Sequence, residues 1–146
     1  MMQRICLTIT LSAGFLLLSG CLNRPKTHQP WDHGRLSIAE NDRFLCHEDG
    51  TPFFWQGDTG WLLFQKLTRE DAVRYLDDRR RKGFNVIQVM VLHDWPEVNA
   101  YGDSALSERQ DFTLKVTPGS DPGDPEAYDY WDHVDTVLSL AEARGI

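Results

Sequence analysis

The 146-residue chain carries a formal net charge of −7, with 41% hydrophobic and 25% charged residues. Its length allows one domain of ordinary size, and its composition is that of a globular protein. The acidic balance argues against a nucleic-acid partner, because phosphate binding requires clustered Lys and Arg. The one basic run, residues 79–82, ends a predicted helix and is interpreted as a solvated turn.

Residues 1–20 have the pattern of an export signal. Arg4 precedes an apolar run over residues 5–18, which is too short for a bilayer span. The run ends in Leu-Ser-Gly-Cys at Cys21, and this ending resembles the bacterial lipobox. The resemblance implies cleavage before Cys21 and attachment of a diacylglyceryl group to its thiol. An ordinary signal with an incidental cysteine is the alternative.

A lipidated Cys21 makes the membrane an expected partner, because several acyl chains on one residue give a stable anchor. Residues 21–34 are polar and contain Pro and Gly, and they are predicted to tether the anchor to the folded part. Leu22 stands where an Asp would favour retention in the inner membrane of a two-membrane cell. We therefore expect an exported lipoprotein at the outer membrane or cell surface rather than the inner membrane.

The folded part, residues 35–146, is predicted to begin with a small β meander. Strand-like runs over residues 36–40 and 43–47 are followed by a turn and a third run that starts at Pro52. Residues 53–56 are an apolar run between turn signals, which is typical of a strand covered on both faces.

The predicted strand over residues 53–56 ends in Gly57-Asp58-Thr59-Gly60-Trp61. The two glycines permit a tight turn, so the strand is expected to deliver Asp58 and Trp61 to an open edge of the sheet. Alternatively, Asp58 or Thr59 caps a short helix over residues 61–64.

Two helices and another strand follow. A capping pattern at Thr68 opens a helix with an apolar stripe, which Gly83 ends. Residues 84–92 read as a central parallel strand, which completes a βαβ unit. Trp131, Val134 and Leu138 then predict one face of a second helix, closed by Gly145.

Ile146 stands where a third strand of such a protein is expected to begin. Two parallel strands with two helices would leave a sheet edge uncovered. The sequence is therefore expected to be a truncated α/β protein, and a natural terminus after the helix is the alternative.

A long connection over residues 92–128 divides into a half that resembles a site and a Pro- and Gly-rich spacer. His93, Asn99 and Tyr101 lie in the first half. Ligands of parallel α/β sheets bind at the carboxyl ends of the strands, which is where Asp58 and Trp61 also fall. Carboxylates and amides to hold hydroxyls, with aromatic rings to stack on, predict carbohydrate binding. The later acids do not match a calcium loop, and no metal or cofactor is predicted.

Several motifs in order resemble the amino-terminal part of the apiosidase-like glycoside hydrolases (family 140 and relatives). The resemblance covers residues 34–146 and rests on Asp49-Gly50-x-Pro-Phe-Phe-Trp-x-Gly-Asp-Thr-x-Trp, Phe64-x-Lys-Leu-Thr, Gly83-Phe84-Asn85-Val86-Ile87-Gln88, Asn99-x-Tyr-Gly and Tyr130-Trp131-x-x-Val-Asp.

This resemblance implies the first part of a (β/α)8 barrel that hydrolyses glycosidic bonds in plant cell-wall polysaccharide, with apiose-containing pectin as the expected substrate. Asp58 and Trp61 would line the sugar pocket at the first strand, and His93, Asn99 and Tyr101 at the second. The catalytic acid and nucleophile are expected on later strands, beyond residue 146, so the chain alone is expected to be inactive. The alternative is a non-catalytic, glycan-binding surface lipoprotein.

Overall fold

The computed structural model describes residues 30–94, 96–108 and 112–146. The predicted signal, the lipidation site Cys21 and most of the tether lie outside the described residues. Within the described part of the chain, no helix is long and apolar enough to cross a membrane.

The predicted β meander is confirmed. After a short 3-10 turn at Pro30–His33, strands β1 (Leu36–Ile38), β2 (Leu45–His47) and β3 (Pro52–Phe53) form an antiparallel sheet in the order β1-β2-β3. All three residues of β1 are exposed, so this sheet has little core of its own.

The predicted βαβ unit is also confirmed, but its first strand lies later than expected. Strands β4 (Gly57–Thr59) and β5 (Val86–Gln88) pair in parallel, and the two helices α1 (Leu63–Lys66) and α2 (Arg69–Arg81) connect them. The β5 strand is shorter than the apolar run over residues 84–92 suggested.

The prediction of a buried strand over residues 53–56 is wrong. Phe53 belongs to the meander, while Phe54 and Trp55 are 78% and 56% exposed. The side-chain amide of Asn85 explains the shift. Its oxygen accepts a hydrogen bond from the Gln56 amide, and its nitrogen donates one to the Phe54 carbonyl. These two backbone groups are thus bonded to a side chain and not to a strand, and the β4–β5 pairing begins only at Gly57.

Helix α2 begins and ends as the sequence predicts. The Thr68 hydroxyl accepts the Asp71 amide at 3.2 Å, which satisfies a free donor of the first turn. At the other end, Gly83 has a φ of 83°. The Gly83 amide bonds to the Arg80 carbonyl and the Phe84 amide to the Arg79 carbonyl, which together form a Schellman motif.

Helix α3 (Tyr130–Glu142) ends in the same motif as α2. Gly145 has a φ of 70°, its amide bonds to the Glu142 carbonyl, and the Ile146 amide bonds to the Ala141 carbonyl. The predicted apolar stripe of α3 is partly wrong, since Leu138 is 52% exposed. The buried face is made instead by Tyr130, His133, Val134 and Val137.

The core lies where α1, α2 and α3 meet. Two residues of the long connection, Ala105 and Leu106, are buried in it. The indole of Trp131 donates to the Ala105 carbonyl at 2.8 Å, which fixes that segment against α3. The first half of the connection is therefore packed structure as well as a candidate site. The buried members of the core are Leu63, Phe64, Ala72, Ala105, Leu106, Tyr130, Val134 and Val137.

Candidate functional site

The carboxyl ends of β4 and β5 form a continuous edge. Beyond the strands, the Gly60 amide still bonds to the Gln88 carbonyl at 2.9 Å, and the Met90 amide to the Trp61 carbonyl at 3.1 Å. This pairing places Trp61 beside the segment that leads to His93. The Trp61 side chain is 53% exposed there, so its ring is available for stacking.

Side chains of β4 and β5 alternate between two faces of the parallel pair. Asp58, paired with Ile87, points to α2. Thr59 and Gln88 lie on the opposite face and are exposed. The polar side chains on the uncovered face are thus Thr59 and Gln88, which sequence reasoning did not select.

The Asp58 carboxylate is held by several partners. Its Oδ2 accepts the Tyr75 hydroxyl at 2.8 Å and forms an ion pair with Arg79, and its Oδ1 accepts the Thr59 amide at 2.9 Å. The Tyr75 bond, with smaller contributions from Thr59 and Arg79, holds the pKa of Asp58 below its ordinary value.

The alternative role of Asp58 or Thr59 as a helix cap is wrong. Helix α1 has Leu62 at its N-cap position, with no side-chain bond to the first turn. Asp58 instead joins β4 to α2 through Tyr75 and Arg79. Its contact with a sugar stays a prediction.

A buried carboxylate, Glu97, holds the segment at the end of β5. Glu97 is 5% exposed, and its Oε2 accepts the backbone amides of both His93 and Asp94. The His93 side chain itself is exposed. The bonds from Glu97 fix the backbone from which His93 projects, since two neighbouring amides share one acceptor.

Gln65 and Tyr130 continue this buried polar cluster toward the core. The Gln65 amide nitrogen lies 3.1 Å from the Met90 carbonyl oxygen and 2.8 Å from the Tyr130 hydroxyl. That hydroxyl donates to the Val91 carbonyl. Burial raises the pKa of Tyr130 to about 12, and the negative charge of Glu97 adds to the rise.

Asn99 is buried and organises a turn. Its side-chain oxygen accepts the amides of Tyr101 and Asp103 at 2.9 and 3.0 Å, and its side-chain nitrogen donates to the Asp103 carboxylate at 3.0 Å. These bonds give Asn99 a structural role typical of Asn in turns. Its contact with a sugar stays a prediction.

The ring of Tyr101 lies beside the first turn of α2. Its hydroxyl accepts the Arg69 amide at 2.9 Å, and the Arg69 guanidinium lies 5.1 Å from the Tyr101 ring centre and 4.9 Å from that of Tyr128. Tyr101 remains 42% exposed, so part of the ring is open to solvent. The cation on its ring fixes the side chain in place.

His133 supports the same aromatic group from inside. Its Nε2 lies 3.0 Å from the Leu67 carbonyl oxygen and its Nδ1 lies 3.1 Å from the Tyr128 hydroxyl. Because a carbonyl only accepts, Nε2 carries the proton and Nδ1 accepts from Tyr128. Burial lowers the pKa of His133, with the charge of Arg69 as a lesser cause, so the ring is neutral at pH 7.

The five predicted site residues therefore fall into three places. Trp61 and the His93 segment meet at the carboxyl edge of the strands, Asn99 and Tyr101 lie beside the start of α2, and Asp58 faces α2. Sequence reasoning missed the buried cluster of Gln65, Glu97 and Tyr130. In the described residues, no group of three or more His, Cys, Asp or Glu side chains could hold a metal ion.

Residues 39–146 match the family described as "Apiosidase-like, catalytic domain". The chain belongs to this family. The resemblance stated from the motifs is thereby confirmed. No curated protein matches the chain.

Solved structures support the same relationship for this apiosidase-like chain. A glycoside hydrolase family 5 protein from Bacteroides vulgatus is 40% identical, with a TM-score of 0.70; the match covers 83% of this chain and 25% of that one. A second structure, described as a glycoside hydrolase, is also 40% identical with a TM-score of 0.70, and 26% of it is covered. The chain spans about a quarter of the length of each. It is therefore a glycoside hydrolase-like α/β domain.

Proposed function

We propose that the chain takes part in the hydrolysis of glycosidic bonds in plant cell-wall polysaccharide, with apiose-containing pectin as substrate. The observation that carries this proposal is the family match over residues 39–146. The two glycoside hydrolases of known structure support the reaction class. The β4–α2–β5 unit would form the first part of a (β/α)8 barrel.

The chain's role in this reaction is to bind and orient the sugar. Trp61 and Tyr101 expose aromatic rings that can stack on the apolar face of a pyranose or furanose ring. His93, which is exposed and follows the segment bonded to Trp61, would offer its imidazole to hydroxyl groups, and Asp58 and Asn99 complete the proposed set. The Glu97 bonds keep the His93 backbone in one position before the sugar arrives, which lowers the entropy lost on binding.

We assign neither a catalytic acid nor a nucleophile among these residues. Glycoside hydrolysis requires two carboxyl groups flanking the scissile bond. Asp58 is paired with Arg79, and Glu97 is buried against backbone amides, so neither is free for that role. We propose that the 146-residue chain binds the polysaccharide and does not cleave it alone.

A binding and hydrolysis assay on pectic oligosaccharides tests the proposal. We expect binding without release of reducing sugar, and Trp61→Ala should weaken binding about tenfold, since a stacked ring is worth about 1 kcal/mol or more. Trp31→Ala is the matched control, because Trp31 is 44% exposed but belongs to the 3-10 turn before the meander.

Equal losses for the two Trp variants would contradict the proposed site. Hydrolysis of the polysaccharide by the purified chain would contradict the proposal that the chain binds the polysaccharide without cleaving it. The alternative function, a glycan-binding surface lipoprotein, would be favoured if a longer reading frame of this protein also bound glycan without hydrolysing it.

We propose further that Cys21 is lipidated and anchors the protein at the outer membrane or cell surface. The support is the Leu-Ser-Gly-Cys pattern after an apolar run, with Leu22 next to it. Labelled palmitate should enter the protein, and Cys21→Ala should release it from the membrane fraction. Cys6→Ala, within the signal, is the control; unchanged fractionation of Cys21→Ala would refute the anchor.

A further inference from the structure

A cleft lies at the other end of β5 from His93. It has a volume of about 370 Å³ and separates the meander from the C-terminal end of α2. Asn85, just before β5, forms part of its wall, and Gly83 forms another part. Apart from Gly83 and its two chain neighbours, no heavy atom of the described residues lies within 4 Å of the position that a Cβ at Gly83 would take, so the cleft is open above it.

One cation in this cleft, Arg80, has no acidic partner in the part of the chain that the structure describes. In the basic run at the end of α2, Arg79 pairs with Asp58, and Arg81 and Lys82 pair with Asp78. Arg80 lines the cleft, is exposed, and forms no ion pair with any residue that the structure describes. In a chain with a net charge of −7, this guanidinium is an available site for an anion.

An exposed aromatic ring lies in the same cleft. Phe54 is 78% exposed, which is the largest exposure among the large hydrophobic side chains of the described residues. The Asn85 amide bonds to the backbone on both sides of Trp55, so Phe54 projects from a fixed segment. The Phe54 ring is therefore exposed to solvent on a backbone segment that the Asn85 side chain fixes.

The floor of the cleft is also ordered. The His47 and Phe53 rings pack edge to face with centres 5.4 Å apart, and His47 is buried with its Nδ1 3.2 Å from the Gly34 carbonyl oxygen. The nearby acid, Asp49, is occupied by His33 at 2.7 Å and by the Thr51 amide at 2.9 Å. The described residues that line the cleft include no Asp or Glu, so an anion at Arg80 meets no carboxylate there.

We propose that this cleft is a second saccharide-binding site, one that takes an acidic sugar by stacking its ring on Phe54 and pairing its carboxylate with Arg80. A planar fork of N–H donors suits a carboxylate, and an aromatic ring suits the apolar face of a sugar. This site lies at the amino-terminal end of β5, so it is distinct from the proposed site at Trp61 and His93. It would hold a charged part of the polysaccharide and requires no cleavage.

Titration of the 146-residue chain with digalacturonic acid, followed by calorimetry and by amide chemical shifts, tests the proposal. We expect shifts at Phe54 and Gly83, and about tenfold weaker binding for the dimethyl ester of the same sugar. Arg80→Gln and Phe54→Ala should each weaken binding of the acid several-fold or more. Arg74→Gln is the matched control, because Arg74 is exposed on the same helix and paired with Asp71.

Three results would overturn the proposal: no shift at Phe54 and Gly83, equal binding of acid and ester, or equal losses in Arg80→Gln and Arg74→Gln. Shifts confined to Trp61 and His93 would support the first site alone. Conversely, shifts at Phe54 with none at Trp61 would support this cleft and count against the proposed function of the first site. Far-UV circular dichroism checks that each variant keeps its fold.

Discussion

The meander (β1 to β3) and the α/β unit (β4, β5 and helices α1 to α3) are stabilised in different ways. The meander consists of three strands of two or three residues, and β1 is exposed throughout. The α/β unit buries Phe64, Ala72, Leu76 and Tyr130 to 1% or less. Backbone bonds and ring contacts hold the meander, whereas burial of apolar surface holds the α/β unit. We infer that stability resides in the α/β unit and that the meander mainly supplies surface, including Phe53 and Phe54.

The same substitution in the two regions tests this comparison most strongly. Phe64→Ala should cost about 3 to 5 kcal/mol of unfolding free energy, because Phe64 is 1% exposed and a cavity would remain. Phe44→Ala, next to β2, should cost less than about 1 kcal/mol, because Phe44 is 46% exposed. Urea unfolding followed by Trp fluorescence measures both, and similar losses would refute the comparison.

This contrast also explains what the sequence could predict. Helix α2 was predictable because its cap, apolar stripe and closing glycine are all local. Strand β4 was misplaced because Gly57-Asp58-Thr59 has low intrinsic strand preference and is ordered by β5, about 29 residues later. The apolar residues Phe54 and Trp55 gave the stronger local signal, although they are exposed.

The candidate site was predictable only in part, for a similar reason. Trp61 and His93 follow strands, so their place at the carboxyl edge could be inferred. Glu97 had no such signal, because its partners are the backbone amides of His93 and Asp94, and backbone groups carry no residue-type pattern in a sequence. The orientation of Asp58 toward α2 depends likewise on the ladder register between β4 and β5.

If the long connection is as stably ordered as the α/β unit, removing its buried carboxylate Glu97 should have a measurable cost. Glu97→Ala should cost about 1 to 3 kcal/mol, because it leaves two backbone amides without an acceptor. Amide hydrogen exchange at His93 and Asp94 should accelerate more than exchange in the meander. Glu108→Ala is the control, since Glu108 lies in the same connection and is exposed. Unchanged exchange at His93 would show that Glu97 does not hold this segment.

A third and smaller effect concerns the junction of β4 with α2. Asp58→Ala removes the bonds to Tyr75 and Arg79 and should cost about 1 kcal/mol, since the pair is partly exposed. The folded pKa of Asp58 is lowered, so its contribution is present above the unfolded pKa of about 3.9 and is lost as pH falls through the lower folded value. The difference in unfolding free energy between wild type and Asp58→Ala, measured at pH 7, should therefore shrink as the pH is lowered below about 3.9.

Asp58→Asn separates this structural role from sugar contact. The amide oxygen can still accept the Tyr75 hydroxyl, but the ion pair with Arg79 is lost. If Asp58 binds the sugar as a carboxylate, Asp58→Asn should weaken glycan binding by more than its small effect on the melting temperature explains. Unchanged binding would remove Asp58 from the proposed site and leave Trp61 as the contact at the first strand.

The smallest predicted effect is a pH dependence from His133. Burial places its folded pKa below the unfolded value of about 6.5, so the unfolded chain binds the proton more readily. The stabilisation of the neutral ring is therefore complete above about pH 6.5 and is lost progressively as pH falls toward the folded pKa.

The effect is small because the bond to the Leu67 carbonyl favours the charged form and opposes burial. His133→Gln, which can still donate to that carbonyl, should flatten the decline in unfolding free energy between pH 7 and pH 5. His33→Gln in the 3-10 turn is the control, because it makes the same replacement outside the core. If the unfolding free energy of His133→Gln declined between pH 7 and pH 5 as steeply as that of the wild type, His133 would not be the group that causes the decline.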